Sequence, residues 1–333
     1  MRKKILIVTD NLRDQINGVV TTFKSIESYA DADSYDIVYL DPGQFSYIDA
    51  PGYPEVKLSW PRSMGKKIEA HHADYIHIAT EGPLGLSARL YCDRNGYKYN
   101  TSYHTKFPEF LKEIYNIPMS WTYWYVRWFH KHSGKVLTTT QTMVNDLQRH
   151  GFDGDVIPWT RGVDRTIFKS KLRGRTVAGR PILLSVGRVS KEKGIDDFCT
   201  LDWPSATKIV VGDGPYRKEL ASKYPDVIFA GVKKGRSLAE YYANADVFVF
   251  PSRTDTFGIV IIEALACGTP VAGYPVPGPI DILEEGVTGS MNDDLLLAVQ
   301  KALTLDRKTV KLNSKKWTWQ ACWNIFKVNL VEK

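Results

Sequence analysis

A chain of 333 residues, 43% hydrophobic and 24% charged, is long enough for two ordinary domains, each with its own core. No stretch approaches the roughly 20 consecutive apolar residues of a membrane-spanning helix. The basic start also runs only briefly into apolar residues before Asp10, Asn11 and Arg13, which reads as a first strand and not a signal peptide. The net charge of +7 suits an anionic partner, whether phosphorylated donor, acidic lipid surface or nucleic acid, but equally a plain solubilising surface. Cys92, Cys199, Cys267 and Cys322 are widely spaced and form no C-x-x-C pair. They read as buried thiols in a reducing cytosol, with neither disulfide nor zinc site.

Short β-branched apolar runs alternate with longer helical stretches along the chain. In the first half the predicted strands are Lys4–Thr9, Asp36–Leu40, Tyr75–Ala79, Tyr97–Ser102 and Lys135–Thr139. In the second they are Pro181–Val186, Lys208–Val211, Val227–Ala230, Asp246–Phe250 and Pro270–Gly273. Alternation of this kind argues for α/β architecture with buried parallel sheets. Between the two series lie Arg161–Phe168 and then Lys169–Pro181, which holds Lys169, Lys171, Arg173, Arg175 and Arg180 and no acidic residue. The latter reads as an exposed linker. The expectation is two Rossmann-like domains, 1–168 and 169–314, with ligands at the carboxyl ends of their strands.

Unusual residues fall in the loops after strands. After the first strand, Asp10 to Asn17-Gly18 leads into a helix, where a glycine admits a phosphate to backbone N–H groups, or simply makes a turn. G-x-G-x-x-G is absent there, which argues against a nicotinamide dehydrogenase; the nearest match, Gly212-Asp-Gly214, precedes Pro215 at an expected first helical position. Tyr103-His104-Thr105-Lys106 places a histidine at a strand end, either facing a cleft or satisfied within the core. Gly187-Arg188 to Lys193-Gly194 is either a solvated basic loop or a cradle that stabilises a departing diphosphate.

In Phe250-Pro-Ser-Arg-Thr-Asp-Thr-Phe-Gly-Ile-Val-Ile-Ile-Glu263, Gly258 sits where a helix would begin, and its first amides offer a diphosphate site. Asp255 lies before that helix, placed for a sugar, and Glu263 about one and a half turns into it, placed to accept from ribose hydroxyls. The two acids would otherwise be an N-cap and a surface residue. Yet Glu263 stands between Ile261-Ile262 and Ala264-Leu265-Ala266, and a carboxylate in apolar surroundings needs a partner.

The segment from Asp246 to Ala272 resembles the signature of family 4 retaining glycosyltransferases, with two acids eight positions apart around a Phe-Gly and before Glu-Ala-x-Ala-x-Gly-x-Pro-Val. Gly18, His104, Arg188 and Lys193 fall in the family's order, and Arg161-Gly-Val-Asp164 resembles its inter-domain segment. Trp317–Phe326 resembles its last helix, so the resemblance spans essentially the whole chain. It implies the GT-B fold: two facing Rossmann-like domains, an inter-domain cleft, and a C-terminal helix (315–333) crossing back to the first domain. It further implies a nucleotide-diphosphate sugar donor, GDP- or UDP-linked, with no metal and no cofactor.

By the resemblance, His104, Asp255, Arg188 and Lys193 are the catalytic set, and Gly18, Val232, Phe257, Gly258, Ile259, Val260 and Glu263 bind the donor. Asp10, Glu81, Thr105 and Lys106 are acceptor-side candidates. The first acid is usually Glu, so Asp255, shorter by a methylene, resets the sugar-hydroxyl contacts. Thr-Asp-Thr-Phe-Gly258, Thr80–Gly85 and Tyr274–Asp281 resemble a branch of GDP-mannose-dependent α-mannosyltransferases and sulfoquinovosyl transferases.

Met119–Lys135 is crowded with Trp and Tyr, carries Arg127, Lys131 and Lys135, and lies in a stretch without acids between Glu113 and Asp146. It suits an anionic membrane interface, stacking on a nucleic acid, or an aromatic-rich core helix. The leading expectation is transfer of a hexose, with mannose foremost, to a lipid-linked or saccharide acceptor by a cytoplasmic enzyme peripheral to the inner membrane face. One rival keeps the chemistry and moves the acceptor to hydroxymethylated bases in DNA, as in phage enzymes. Another is a non-catalytic nucleotide-sugar or nucleic-acid-binding relative. No protein partner is indicated.

Overall fold

The computed structural model describes residues 2–15, 17–50, 53–169 and 180–333. The chain forms two compact units, Met1–Arg161 with Trp319–Lys333, and Gly162–Thr318. Most of the predicted linker, Lys171, Arg173 and Arg175 included, lies outside the described residues.

In the first unit the elements are β1 (Lys3–Val8), α1 (Gly18–Ala32), β2 (Tyr35–Leu40), β3 (Ser46–Ala50), β4 (Tyr53–Trp60), α2 (Met64–Ala70), β5 (Tyr75–Ile78), α3 (Pro83–Asn95), β6 (Asn100–Tyr103), α4 (Phe107–Tyr115), α5 (Met119–His130), β7 (Val136–Thr138), α6 (Gln141–Arg149) and β8 (Val156–Pro158). Six strands make one parallel sheet in the order β2-β1-β5-β6-β7-β8. Ile5 to Val8 of β1 are wholly buried, as an apolar run covered on both faces requires. Strand β6 is different: Asn100-Thr-Ser-Tyr103 is polar yet buried throughout. It is held by His77 Nε2 to Ser102 Oγ at 2.7 Å and by Asn100 Nδ2 donating to the Asn329 carbonyl at 2.6 Å.

The second unit runs β9 (Ile182–Val186), α7 (Ile195–Cys199), β10 (Thr207–Val211), α8 (Arg217–Lys223), β11 (Ile228–Gly231), α9 (Gly235–Asn244), β12 (Val247–Phe250), α10 (Ile259–Ala266), β13 (Val271–Gly273), α11 (Pro279–Ile282), β14 (Gly289–Met291), α12 (Leu295–Ala302) and α13 (Arg307–Asn313). Its parallel sheet has the order β11-β10-β9-β12-β13-β14. The chain steps outward from β9 to β11 and returns to β12 beside β9, which makes β9/β12 the switch point where open α/β sheets bind ligands. In the first unit the same reversal falls at β1/β5.

The final helix, α14 (Trp319–Val328), belongs to the first unit and packs on α1. There Trp323 Nε1 and Lys327 Nζ both donate to Asp33 Oδ2, at 2.5 and 2.8 Å. Phe326 stacks on the buried Trp159, whose Nε1 donates to the Cys322 carbonyl at 2.9 Å.

Several expectations shift. The strand expected at 97–102 is β6, at 100–103. Pro215 lies in a turn and α8 begins two residues later, at Arg217. Strands β8 and β14 and the antiparallel pair β3–β4 were not anticipated. All four cysteines are buried. Among the described residues no helix is long and apolar enough to cross a membrane.

Candidate active site

The loops after β9 and β12 hold the second unit's candidate residues. Gly194 takes φ +62, and a Cβ there would lie 2.5 Å from the Pro251 carbonyl oxygen. Only glycine lets the cationic loop sit this close on the acidic one. As a result Lys193 Nζ donates to Asp255 Oδ1 at 2.6 Å, with 28% and 22% of the two side chains exposed. Thr254 Oγ1 ties the same loops by donating to the Glu192 carbonyl at 3.2 Å. Arg188, half-buried, stands at the start of the cationic loop.

Gly258 N-caps α10 with φ +84; a Cβ would meet Ile261 Cδ1 and Phe250 Cζ at 3.0 Å. No side chain caps this helix and no acid stands in its first turn. Its first amides and the positive end of its dipole are therefore suited to an anion. Phe257 is buried, Ile259 and Val260 are half-buried, and Val232, just past β11, is 52% exposed.

Helix α10 is apolar almost all round, with Ile261, Ile262, Ala264, Leu265 and Ala266 buried. Glu263 is its one acid, half-buried, with Oε2 accepting from the Tyr242 hydroxyl at 3.0 Å. Desolvation pushes this carboxyl up to about 7, and the Tyr242 bond offsets only part of that. Such a group ionises near neutral pH and gains from a ligand that donates to it.

In the first unit, His104 lies past the carboxyl end of β6, half-buried. Arg161 Nη2 donates to its Nδ1 at 3.0 Å, while Arg161 Nη1 donates to the Trp159 and Thr160 carbonyls at 2.5 and 3.0 Å. A guanidinium has no acceptor, so Nδ1 must hold a lone pair and the neutral ring carries its proton on Nε2. Burial first, and the Arg161 charge second, hold His104 well below the usual histidine range. It is a neutral Nε2–H donor throughout the physiological range.

Gly18 begins α1, whose N-cap Asn17 accepts from Val20 N at 2.9 Å; no acid stands in the first turn. Asp10 is committed elsewhere. Its carboxylate takes Thr80 Oγ1 at 2.6 Å and the amides of Leu84 and Gly85 at 2.8 and 3.4 Å, capping α3. Desolvation pushes it up to about 6 despite those donors. Thr105 is exposed. Glu81 and Lys106 join a separate buried polar group around Tyr103, described below. Helix α5 divides by face: Thr122, Tyr123, Val126, Phe129 and His130 are buried, whereas Trp121 and Trp124 are 71% and 60% exposed.

Comparison with known proteins adds to this geometry. Residues 19–166 match the family model Glycosyltransferase Family 4, and residues 180–312 match Glycosyl transferases group 1. The chain belongs to the family 4 glycosyltransferases. It is 27% identical to a GDP-mannose-dependent alpha-mannosyltransferase of Corynebacterium glutamicum, over 96% of this chain and 86% of that one. It is 28% identical to a sulfoquinovosyl transferase of Arabidopsis thaliana, over 81% of this chain and 59% of that one. Among solved structures, sucrose-phosphate synthase from Thermosynechococcus elongatus aligns with a TM-score of 0.77 at 18% identity, covering 98% of each chain. The fold is GT-B.

Sequence reasoning missed the partners of this glycosyltransferase's candidate site residues. Tyr242 reaches Glu263 from α9, and Arg253 stacks on Tyr274 at 3.4 Å from the ring centroid while Tyr274 donates to Asp197 Oδ2 at 2.6 Å. Arg161 was visible as part of a motif, but its bond to His104 was not. Among the described residues no three His, Cys, Asp or Glu side chains come together to hold a metal ion. A surface cavity of about 700 Å³ between α2 and α3, beside Met64, Glu69 and Tyr91, touches none of these residues.

Proposed function

We propose that this glycosyltransferase moves a hexose, mannose by preference, from a nucleotide-diphosphate sugar to a lipid-linked or saccharide acceptor, retaining the anomeric configuration. The observation that carries the reading is the Lys193–Asp255 pair beside the uncapped start of α10, at the β9/β12 switch point. GDP as the nucleotide is supported by the GDP-mannose dependence of the C. glutamicum relative.

In this reading Arg188, Lys193 and the amides of Gly258 and Ile259 hold the diphosphate, and Gly18 adds an N-terminal amide from α1. Their charge is fixed before the reaction and stabilises the leaving group as its charge grows. Asp255 accepts from sugar hydroxyls, while Lys193 is released toward phosphate. Glu263 accepts from the ribose hydroxyls, the backbone near Val232 meets the base, and Phe257 and Val260 shape the donor's surroundings. His104 offers Nε2–H to a sugar hydroxyl near the reacting centre. The C1–O bond to the diphosphate breaks, and the acceptor oxygen bonds to C1 on the same face. The acceptor's proton passes to a departing phosphate oxygen.

The exposed Trp121 and Trp124, with Lys131 exposed just beyond α5, support a peripheral seat on an anionic membrane, at its cytoplasmic face. A thermal-shift screen of GDP- and UDP-sugars tests the donor. At 100 times Kd a donor adds about 2.7 kcal/mol, so GDP-mannose should raise Tm by about 5 °C or more; no shift with any nucleotide sugar rejects the reading. Cosedimentation with vesicles rich in anionic lipid tests the seat. It should weaken at high salt and in the Trp121→Ala/Trp124→Ala variant, and salt-sensitive binding to DNA alone would move the acceptor to nucleic acid.

A further inference from the structure

Behind the carboxyl ends of β5, β6 and β7, the first unit buries a polar group that the proposed donor chemistry does not use. Tyr103 is 0% and His130 1% exposed, and neither the Tyr103 hydroxyl nor His130 Nε2 has a hydrogen-bond partner. Glu81 Oε1, Glu109 Oε2 and Asp146 Oδ2 are buried and equally unpartnered. They arrive from separate places, the loop after β5, α4 and α6; the His130 ring lies 6.1 Å from that of Tyr103, His130 Nε2 stands 3.4 Å from Glu81 Oε1, and the carboxylates of Glu109, Glu81 and Asp146 all bear on the Tyr103 hydroxyl. The five atoms therefore share one neighbourhood. Native proteins hold few such atoms, because each one buried without a partner loses its hydration with nothing in exchange.

The protonation pattern says what would satisfy them. Ser133 Oγ donates to the Lys135 carbonyl at 2.6 Å, and Thr101 Oγ1 donates to Ser133 Oγ at 3.0 Å. Thr101 must then accept at its 2.7 Å contact with His130 Nδ1, so Nδ1 carries a proton. His130 Nε2 stands 3.4 Å from Glu81 Oε1, out of hydrogen-bond geometry. Lys106 Nζ is 3.8 Å from both Glu109 Oε1 and Asp146 Oδ2, a spacing that one hydroxyl oxygen can bridge. Tyr123 donates to Glu109 Oε1 at 2.9 Å, leaving Oε2 open. The group thus presents three carboxylate oxygens that want donors, beside a lysine and a tyrosine that can donate. No three of its acids and imidazole converge to hold a metal ion. Vicinal hydroxyls, which donate and accept at each oxygen, match this set where a bare cation or an anion does not. The Glu109, Asp146 and Lys106 side chains keep 23%, 15% and 16% exposure, so the group meets solvent on the side of α4 and α6.

We propose that Tyr103, Glu81, Glu109, His130 and Asp146, with Lys106, form a polyol subsite that reads the ring hydroxyls of a saccharide-type acceptor. The assignment to an acceptor rests on the glycosyltransfer reading above; the affinity for polyols does not.

The test is isothermal titration of the full chain with methyl α-mannopyranoside and with myo-inositol, in wild type and in Tyr103→Phe, Glu109→Gln and Asp146→Asn. Each substitution removes one hydrogen-bonding partner and should weaken binding about 10-fold or more. Should a variant fail to fold, single-deoxy analogues on the wild-type chain give the same answer hydroxyl by hydroxyl. Unchanged affinity in all three variants, or only ordered water on the five atoms in crystals grown with the polyol, overturns the subsite. GDP titration of the wild type is read separately. Polyol binding that depends on these residues without nucleotide binding would retain the subsite and reject the proposed function.

Discussion

If Glu263 accepts from the ribose as proposed, it should couple donor binding to pH. A ribose diol donates two hydrogen bonds, and only the ionised carboxylate can accept both while Tyr242 also donates to Oε2. With the carboxyl near 7 in the ligand-free protein, a donor that requires the anion must expel a proton when it binds below that value. At pH 5 about 1% of the group is ionised, so binding should be about 100-fold weaker than above pH 8, or about 2.7 kcal/mol. The assay is isothermal titration with GDP-mannose, whose phosphates do not themselves titrate near neutral pH, in two buffers of different ionisation enthalpy. Between pH 5 and 7 the affinity should rise about tenfold per unit with uptake of one proton by buffer, and Glu263→Gln should flatten the profile. A flat wild-type profile, or the same slope in the glutamine variant, would refute the ribose role. The ligand-free protein follows the opposite sign. A carboxyl raised from 4.5 to about 7 contributes its full stability below pH 4.5 and loses it as pH rises through 7, by at most about 3 kcal/mol.

On the proposed reading, Lys193→Ala should strip the diphosphate of a cation while it leaves Asp255 without its 2.6 Å partner; kcat for transfer should fall about 100-fold or more with Tm almost unchanged. His104→Ala should lower kcat/KM about tenfold or more, and the wild-type rate should show no histidine titration between pH 6 and 7, because the ring is already neutral there. Gly258→Ala forces a side chain into φ +84 and against Ile261 and Phe250, costing about 1–3 kcal/mol. A melting curve should show the loss as a drop of several degrees, together with loss of GDP binding.

Much of the fold was legible because both sheets are buried on two faces, so strands such as Ile5–Val8 and Val247–Phe250 are nearly pure apolar runs. What escaped was the exception to that rule. Strand β6 is Asn-Thr-Ser-Tyr, buried but polar, and its place was displaced toward Tyr97 and Tyr99 because apolar weight sits there. The pair β3–β4 escaped for a related reason: Tyr47, Ile48, Leu58 and Trp60 are exposed, so no hydrophobic face marked their period.

Candidate site features were legible where one short loop carries the whole feature, as with Lys193-Gly194 and Gly258, whose backbone demands glycine locally. Their chemistry was not, because it is set by partners distant in sequence. His104 is a neutral donor because Arg161, 57 positions on, donates to its Nδ1, and Glu263 is accepted in an apolar helix because Tyr242, 21 positions back, does the same for its carboxylate. Asp10 shows the converse. A strand-end acid reads as a ligand-binding group, yet three donors from Thr80, Leu84 and Gly85 turn it inward as a cap. An acid's partners, and not its position in a loop, decide whether it is left to meet substrate. By that criterion Glu109 and Asp146, which no motif singled out, have a stronger claim to an acceptor than Asp10 does.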